Sequence, residues 1–504
     1  MFPLTNKVLF ASRTSIDKMN ENCGVCGVSC EKDSGLLLYK LLLQLQHRGQ
    51  LSSGLTTFHP IEQERLRTHK GLGLVNNVFN SENREKFASL MNRHSSKIGI
   101  GHVRYATSGL NDISFAQPFE RTHGKKDKWF SFCFNGNIAN YEGLKLMLEA
   151  SNYHIVRDTD TEILMHLIAK GIKDSDNLID AFSCATSILD GSYNISFLNA
   201  EGALVAARDP LGFKPLCYSL GKDSVAFASE SVALSSNGFE NIIDLPPGHM
   251  LIHKNGETTI ECFAKSKKRA HCFFEWVYFS HPASVIEGTL VYDVRHKLGK
   301  SLAKLETETI GADCIVVPVP DSSRPSGEGF AQALGMPCIE GLIRNRYVGR
   351  TFIESHDRSK KVHEKFTLIR QVIEGKRIFL VDDSIVRGST MKNLVDYIKK
   401  YGRPKEIHVR VSCPPILWPC FYGIDMSSRS ELIAAKYDDD ANSVEQIKNE
   451  IGASSLIYQT TNGLVEAIGL EKSSLCLACI NGNYPTKRGE ELKSFSGNGR
   501  ACEN

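Results

Sequence analysis

The segment Ile378-Phe-Leu-Val-Asp-Asp-Ser-Ile-Val-Arg-Gly-Ser-Thr390 constrains the fold more than any other stretch of the chain. An apolar strand-like run ends in two adjacent acids, and a loop of small and hydroxyl-bearing residues leads into a helical pattern over Met391–Lys400. A buried strand that feeds a helix in this way belongs to a parallel sheet, whose ligands bind at the carboxyl ends of the strands. Backbone N–H groups of Arg387, Gly388, Ser389 and Thr390 at a helix N-terminus form a nest for an anion, and the hydroxyls of Ser389 and Thr390 add donors. Bare carboxylates beside a phosphate would repel it, so Asp382 and Asp383 make chemical sense holding Mg²⁺ or the hydroxyls of a ribose. An ordinary strand–loop–helix turn would leave two acids at a strand end without a task.

The same rhythm fills the second half of the chain. Cys314–Val319 and Ile407–Val411 read as further buried strands, and the alternation predicts an α/β domain with a mainly parallel sheet. Residues 23–260 read differently. Short apolar runs at Ile98–Val103, Trp129–Phe134, Tyr193–Phe197 and Ala203–Ala207 alternate with helical patterns at Gly35–Leu45 and Glu162–Gly171, an α+β arrangement with antiparallel sheets. The boundary falls within Lys254–Ala270, a Lys-rich polar stretch, which gives domains at 23–260 and 261–490. Residues 491–504 are expected to form a disordered tail.

Composition narrows the class. The chain has 504 residues, 41% of them hydrophobic, and a formal net charge of +3, too small to argue for nucleic acid or a membrane surface. No apolar run approaches the roughly 18 residues of a membrane span. Met1–Asn22 lacks the apolar core of a signal peptide and is expected to be a short leader removed on maturation. Fifteen cysteines, an odd count without a secretory signal, argue against a disulfide framework.

The acidic segment resembles the phosphoribosyl pyrophosphate (PRPP) motif of type I phosphoribosyltransferases, and its wording Val-Asp-Asp-Ser-Ile-Val-Arg-Gly is similar to that of the amidophosphoribosyltransferase family. The resemblance implies that Asp382, Asp383, Ser384, Arg387, Gly388, Ser389 and Thr390 bind PRPP. Val319-Pro-Asp-Ser-Ser323 resembles a loop whose hydroxyl, here Ser322, joins Asp382 and Asp383 at Mg²⁺. Arg344–Ile353 resembles the start of a mobile loop that closes over PRPP, with Arg350 and Lys365 as its cations; His363 stands where arginine is common.

The first half carries Cys23-Gly-Val-Cys-Gly27, Gln46-His-Arg-Gly-Gln50, Gly101-His-Val-Arg-Tyr105, Phe134-Asn-Gly-Asn-Ile138 and Asp158-Thr-Asp-Thr-Glu162, in the order seen in N-terminal-nucleophile glutaminases with their αββα sandwich. By that resemblance Cys23 is the nucleophile. A free α-amine, with a pKa of about 7.7–8.0, can act as base for its own side chain, which requires loss of Met1–Asn22. Asn135 and the Gly136 N–H would form the oxyanion hole. Arg104 would clamp the α-carboxylate of glutamine and Asp160 its ammonium. Standing alone, Arg104 reads equally as a surface charge and Asp160 as a helix N-cap. Cys26 is a rival nucleophile at a position that is usually apolar. Leu51, Phe134 and the pair Phe213-Lys214 depart from the family pattern without removing any of these groups.

Cys476-Leu-Ala-Cys479, Cys272 and Cys420 sit in settings that resemble the iron–sulfur branch of the family, whose four ligands they match. Four thiolates satisfy a [4Fe–4S] cluster or zinc, and spacing does not separate the two; the resemblance favours iron–sulfur. The resemblance covers nearly all of residues 23–490. It implies a cytoplasmic enzyme of purine biosynthesis that takes glutamine and PRPP, assembles as a homotetramer and is inhibited by purine nucleotides. Two rivals stand beside it. One is a nucleobase phosphoribosyltransferase with an inactive glutaminase domain, for which glutamine supports no turnover. The other is a non-catalytic sensor, which binds glutamine or PRPP without releasing pyrophosphate.

Overall fold

A computed structural model describes residues 23–105, 112–345, 365–424, 426, 428–438 and 442–497. The expected leader, Arg350 and His363 lie outside the described residues.

The first domain is an αββα sandwich. A seven-stranded sheet contains Gly24–Cys30 between Ser224–Ala228 and Ile98–Arg104, and a six-stranded sheet contains Phe130–Ile138 beside Gly191–Asn199. Both strand sets alternate between two buried faces. Val25, Ile100, Cys133, Leu198 and Phe227 meet in the layer between the sheets. Cys26 and Val28 face outward under Leu38, Leu41 and Leu42 of the helix Ser34–Gln44. On the other side, Phe132 and Phe134 pack against Ile163, Leu164 and Leu167 of the helix Asp160–Asp174. The expected strands and helices of this half all form, with ends shifted by a few residues. The last strand, Glu257–Cys262, still pairs with His249–Lys254, so the domain runs slightly beyond residue 260.

The second domain holds a parallel sheet of Cys314–Pro318, Arg377–Asp382, Glu406–Val411 and Ser455–Tyr458, in that spatial order. A parallel bridge from Val316 to Cys338 adds a position outside Cys314–Pro318. The strand order therefore reverses between Cys314–Pro318 and Arg377–Asp382. Such a reversal opens a crevice at the carboxyl ends of the strands, because the connections on either side leave in opposite directions. The helix expected over Met391–Lys400 begins at Ser389, and after Tyr397 it widens into a turn over Ile398–Gly402.

One expectation is corrected at the C-terminus. The helix Lys487–Gly497 occupies the first half of the tail expected to be disordered. It starts on two anchors that composition does not advertise: the Arg488 N–H donates to Asp190 Oδ2 at 3.0 Å, and Thr486 shares a hydrogen bond with the Tyr422 hydroxyl at 2.9 Å. Among the described residues no helix is long and apolar enough to cross a membrane.

Candidate active sites

The strand Gly24–Cys30 pairs antiparallel with Ile98–Arg104, Gly24 opposite Val103, which puts Cys23 beside Arg104 at one end of the sheet. Cys23 and Arg104 are both buried. Two hydrogen bonds fix the backbone of Cys23 from opposite sides. Its nitrogen donates to Asn135 Oδ1 at 3.3 Å, and its carbonyl accepts from Arg48 Nε at 3.0 Å. Asn135 Nδ2 is buried and has no hydrogen-bond partner among the described residues. A buried amide N–H₂ left unmatched is costly in a resting protein, and it is the group an oxyanion would satisfy. Gly136 follows, in a strand so close to its neighbour that a Cβ there would lie 2.0 Å from the Ser192 carbonyl oxygen. Only glycine permits that approach, and with it the placement of the Gly136 backbone.

Asp160 is half-buried and opens the helix Asp160–Asp174, but Thr159 is the cap: its hydroxyl accepts from the Glu162 N–H at 3.2 Å. The capping reading of Asp160 is thereby removed. Cys26 is embedded in the apolar cluster under the helix Ser34–Gln44, and burial pushes its thiol far up. That environment disfavours a thiolate, so geometry separates it from Cys23. The motif Gln46–Gln50 carries a residue that had no expected role. Arg48 is buried, touches Cys23, and pairs with Glu230 Oε1 at 2.6 Å and Glu275 Oε1 at 2.8 Å. An arginine inside the polar motif Gln46-His-Arg-Gly-Gln50 was its only signal.

At the second site, Asp382 ends its strand and Asp383 follows in the crevice. Ser322 Oγ donates to Asp383 Oδ2 at 2.5 Å, Ser323 Oγ to Asp382 Oδ1 at 3.0 Å, and Ser384 Oγ to Asp383 Oδ1 at 2.6 Å. The loop after Cys314–Pro318 and the acid pair thus meet across the strand reversal; Ser323 was not singled out in the sequence. Burial, and after it the charge of Asp383, holds the Asp382 carboxyl well above the usual range. Burial likewise raises Asp383. A divalent cation would relieve both, so the donor set of two crowded carboxylates and a hydroxyl fits Mg²⁺. Gly388 enters the helix at φ +76°, and a Cβ there would meet Ile433 at 2.3 Å. The N–H groups of its first turn follow at Ser389 and Thr390. The Arg387 guanidinium pairs with Glu431 at 2.6 Å, which leaves its backbone as its contribution to the nest. The charge of Lys365 reaches both acids.

Cys272, Cys420, Cys476 and Cys479 line one cavity, walled by Phe213, Phe274, Tyr422 and Tyr484. Cys272 and Cys476 are register partners in a short parallel ladder, and the Cys479 carbonyl accepts from Leu417 and Trp418 N–H groups, drawing in the segment with Cys420. Burial pushes all four thiols up, and neighbouring members of the set add to the rise for Cys272, Cys476 and Cys479. Four thiols converging on one cavity, that of Cys479 buried and the other three on half-buried residues, fit a thiolate-bound metal group, which would supply the missing charge compensation. The Tyr422 N–H already donates to Cys420 Sγ at 3.4 Å. Phe213, a departure from the family pattern, stacks on Tyr422 at 4.3 Å and forms part of this wall. Among the described residues no group of three or more His, Cys, Asp or Glu is arranged around a single metal ion.

Fold and sites together define a two-domain, glutamine-dependent phosphoribosyl-transferring enzyme. Residues 102–236 match the glutamine amidotransferase domain family and residues 292–442 the phosphoribosyl transferase domain family. The amidophosphoribosyltransferase of Methanothermobacter thermautotrophicus is 40% identical over 485 residues, covering 95% of this chain and 97% of that protein. That of Bacillus subtilis is 38% identical, covering 94% and 96%. The solved glutamine PRPP amidotransferase from B. subtilis, complexed with ADP and GMP, superposes with a TM-score of 0.80 at 36% identity, covering 92% of this chain and 98% of that one. The chain belongs to the amidophosphoribosyltransferase family, enzymes of the first committed step of purine biosynthesis.

Proposed function

We propose that this chain releases ammonia from glutamine at Cys23 and joins it to C1 of PRPP in the crevice beside Asp382 and Asp383. The products are glutamate, 5-phosphoribosylamine and pyrophosphate. The observation that carries the reading is Asn135, whose Oδ1 takes the Cys23 nitrogen while its buried Nδ2 stays unmatched. Once Met1–Asn22 is removed, the Cys23 α-amine takes the thiol proton as Sγ attacks the amide carbon. Asn135 Nδ2 and the Gly136 N–H hold the charge that appears on oxygen. Collapse expels ammonia with that proton and leaves a thioester, which water hydrolyses to glutamate. Arg104 and Asp160 hold the two ends of the amino acid.

At the second site the nest before Ser389 binds phosphate oxygens, and Asp382, Asp383 and Ser322 hold Mg²⁺. That ion would neutralise the pyrophosphate as it leaves. Arg350 and Lys365 bring further positive charge from the connecting segment. Ammonia that reaches bulk water becomes ammonium, so a water-excluding path between the sites is part of the proposal. Cys272, Cys420, Cys476 and Cys479 hold a [4Fe–4S] cluster in a structural role, supported by their shared cavity outside both substrate sites. The enzyme is a cytoplasmic homotetramer inhibited by purine nucleotides; the ADP and GMP in the B. subtilis structure support the nucleotide part of that reading.

Cys23→Ser tests the division of labour. Glutamine-dependent synthesis should vanish while ammonia-dependent synthesis persists. Full glutamine-dependent activity in that variant would remove Cys23 from the mechanism.

A further inference from the structure

A buried charged group joins the two halves of the chain, and it touches the glutamine nucleophile. Arg48 lies in the first domain. Its Nη1 and Nη2 bind Glu275 Oε2 and Oε1 at 2.9 and 2.8 Å, a bidentate pair that crosses to the second domain. Its Nη1 also binds Glu230 at 2.6 Å, and its Nε holds the Cys23 carbonyl at 3.0 Å. All three charged side chains are essentially fully buried. The fork of Arg48 is therefore oriented by Glu275 together with Glu230, and that orientation aims the Nε–H at Cys23.

Glu275 is itself fixed from the phosphoribosyltransferase side. Ser280 Oγ donates to Glu275 Oε2 at 2.8 Å. Arg295, on the helix Val291–Ala303, ties the same turn down by donating to the Trp276 carbonyl at 2.8 Å and the Ser280 carbonyl at 2.7 Å. The charge of Arg295 is felt by Asp383 in the PRPP crevice. A set of buried hydrogen bonds thus runs from Arg295, through the Trp276–Ser280 turn, Glu275 and Arg48, to the backbone of the nucleophile.

We propose that Glu275 is a positioning residue for glutamine hydrolysis: from the phosphoribosyltransferase half, through Arg48, it sets the backbone of Cys23. The proposal rests on Cys23 being the nucleophile. It assigns a residue of one half to the reaction of the other, in a role that touches no substrate. With Asn135 holding the nitrogen and Arg48 the carbonyl, the Cα–Cβ direction of Cys23 is fixed, and with it the line of attack of Sγ. Loosening the carbonyl end moves the sulfur without removing any group that binds glutamine, so the loss belongs in kcat. Misplacement of a reacting atom by about 1 Å costs on the order of a hundredfold in rate.

The test is Glu275→Gln in the full-length enzyme, with glutamine hydrolysis and ammonia-dependent synthesis measured side by side. The expected result is a kcat for hydrolysis lowered by about a hundredfold. The KM for glutamine and the ammonia-dependent rate should stay within about threefold of wild type. Arg48→Lys should give the same split, and the double variant should be no worse than either single change, because both break one link. Hydrolysis within about threefold of wild type, or both reactions falling together in a folded enzyme, overturns the proposal. If Glu275→Gln does not fold, Glu275→Asp, which keeps the charge but shortens the arm, must show the same split, and its absence counts equally against the idea. Cys23→Ser run in parallel separates the failures: persistent hydrolysis there removes the nucleophile, whatever Glu275 does.

Discussion

Asn135 and Cys23 lie 112 positions apart in sequence, yet Asn135 Oδ1 receives the Cys23 nitrogen at 3.3 Å, and Asn135 Nδ2 stays buried and unmatched. The side chain thus orients the base and keeps a donor in reserve. Asn135→Ala should lower glutamine hydrolysis by about 10²–10³ in kcat, the usual effect of losing one oxyanion donor. Ammonia-dependent synthesis should be unchanged. Steady-state assays with each nitrogen source read both; a loss of less than about tenfold, or about 1.4 kcal/mol, would make Asn135 structural.

Asp382, half-buried, and Asp383, buried, crowd two carboxylates at one strand end. Asp382→Asn with Asp383→Asn should abolish synthesis with either nitrogen donor and leave glutamine hydrolysis without PRPP intact. The folded protein should lose no stability, since a costly like-charge contact disappears. Turnover within about tenfold of wild type would show that the acids do not hold the metal.

The fold was largely legible because each half announces its period. The runs at Ile98–Val103 and Trp129–Phe134 alternate with helical patterns, and Arg377–Val381 ends in acids before a loop and a helix. What stayed hidden is long-range and electrostatic. Arg48 lies in a short loop-like motif, and nothing local says that it is buried against Glu230 and Glu275, 182 and 227 positions away. The resemblance picked out Ser322, and nothing local showed that its neighbour Ser323 also meets the acid pair. The helix Lys487–Gly497 reads as a polar tail because it is held by a few anchors at its start rather than by a wide apolar face. Its order is a property of the surface it meets.

The segment that carries Cys420 also docks on the first domain. Asn137 Nδ2 and Ser192 Oγ donate to the Phe421 and Tyr422 carbonyls, both at 2.7 Å, beside Cys420. Cys479→Ser should yield poorly soluble or protease-sensitive protein, because metal-binding energy is folding energy where no site is preformed. Anaerobically purified wild type should be brown with about four irons per chain. A colourless, active preparation with one zinc keeps the ligands and changes the metal. A stable, active protein with neither metal removes the site.

Stability should depend on pH through Asp244. Burial, and then the charge of Glu287, raises its carboxyl to about 6. The unfolded value is about 3.9, so the folded state holds this proton more tightly. Its contribution is complete below about pH 4 and is lost as pH rises through about 6, by roughly 2–3 kcal/mol for a shift of this size. Asp209, also raised by burial to about 6, acts in the same window and is common to both proteins. Asp244→Asn stays neutral, so its melting temperature should match wild type near pH 4.5 and exceed it near pH 7.5. A difference independent of pH contradicts this assignment.

The most direct measurement follows the nitrogen. The enzyme is given glutamine labelled with ¹⁵N in the amide, PRPP and Mg²⁺, and glutamate, pyrophosphate and labelled phosphoribosylamine are counted together. The account predicts that the label enters phosphoribosylamine, with one glutamate and one pyrophosphate for each molecule formed. Glutamate released without matching pyrophosphate, or label found only in free ammonia, would contradict it.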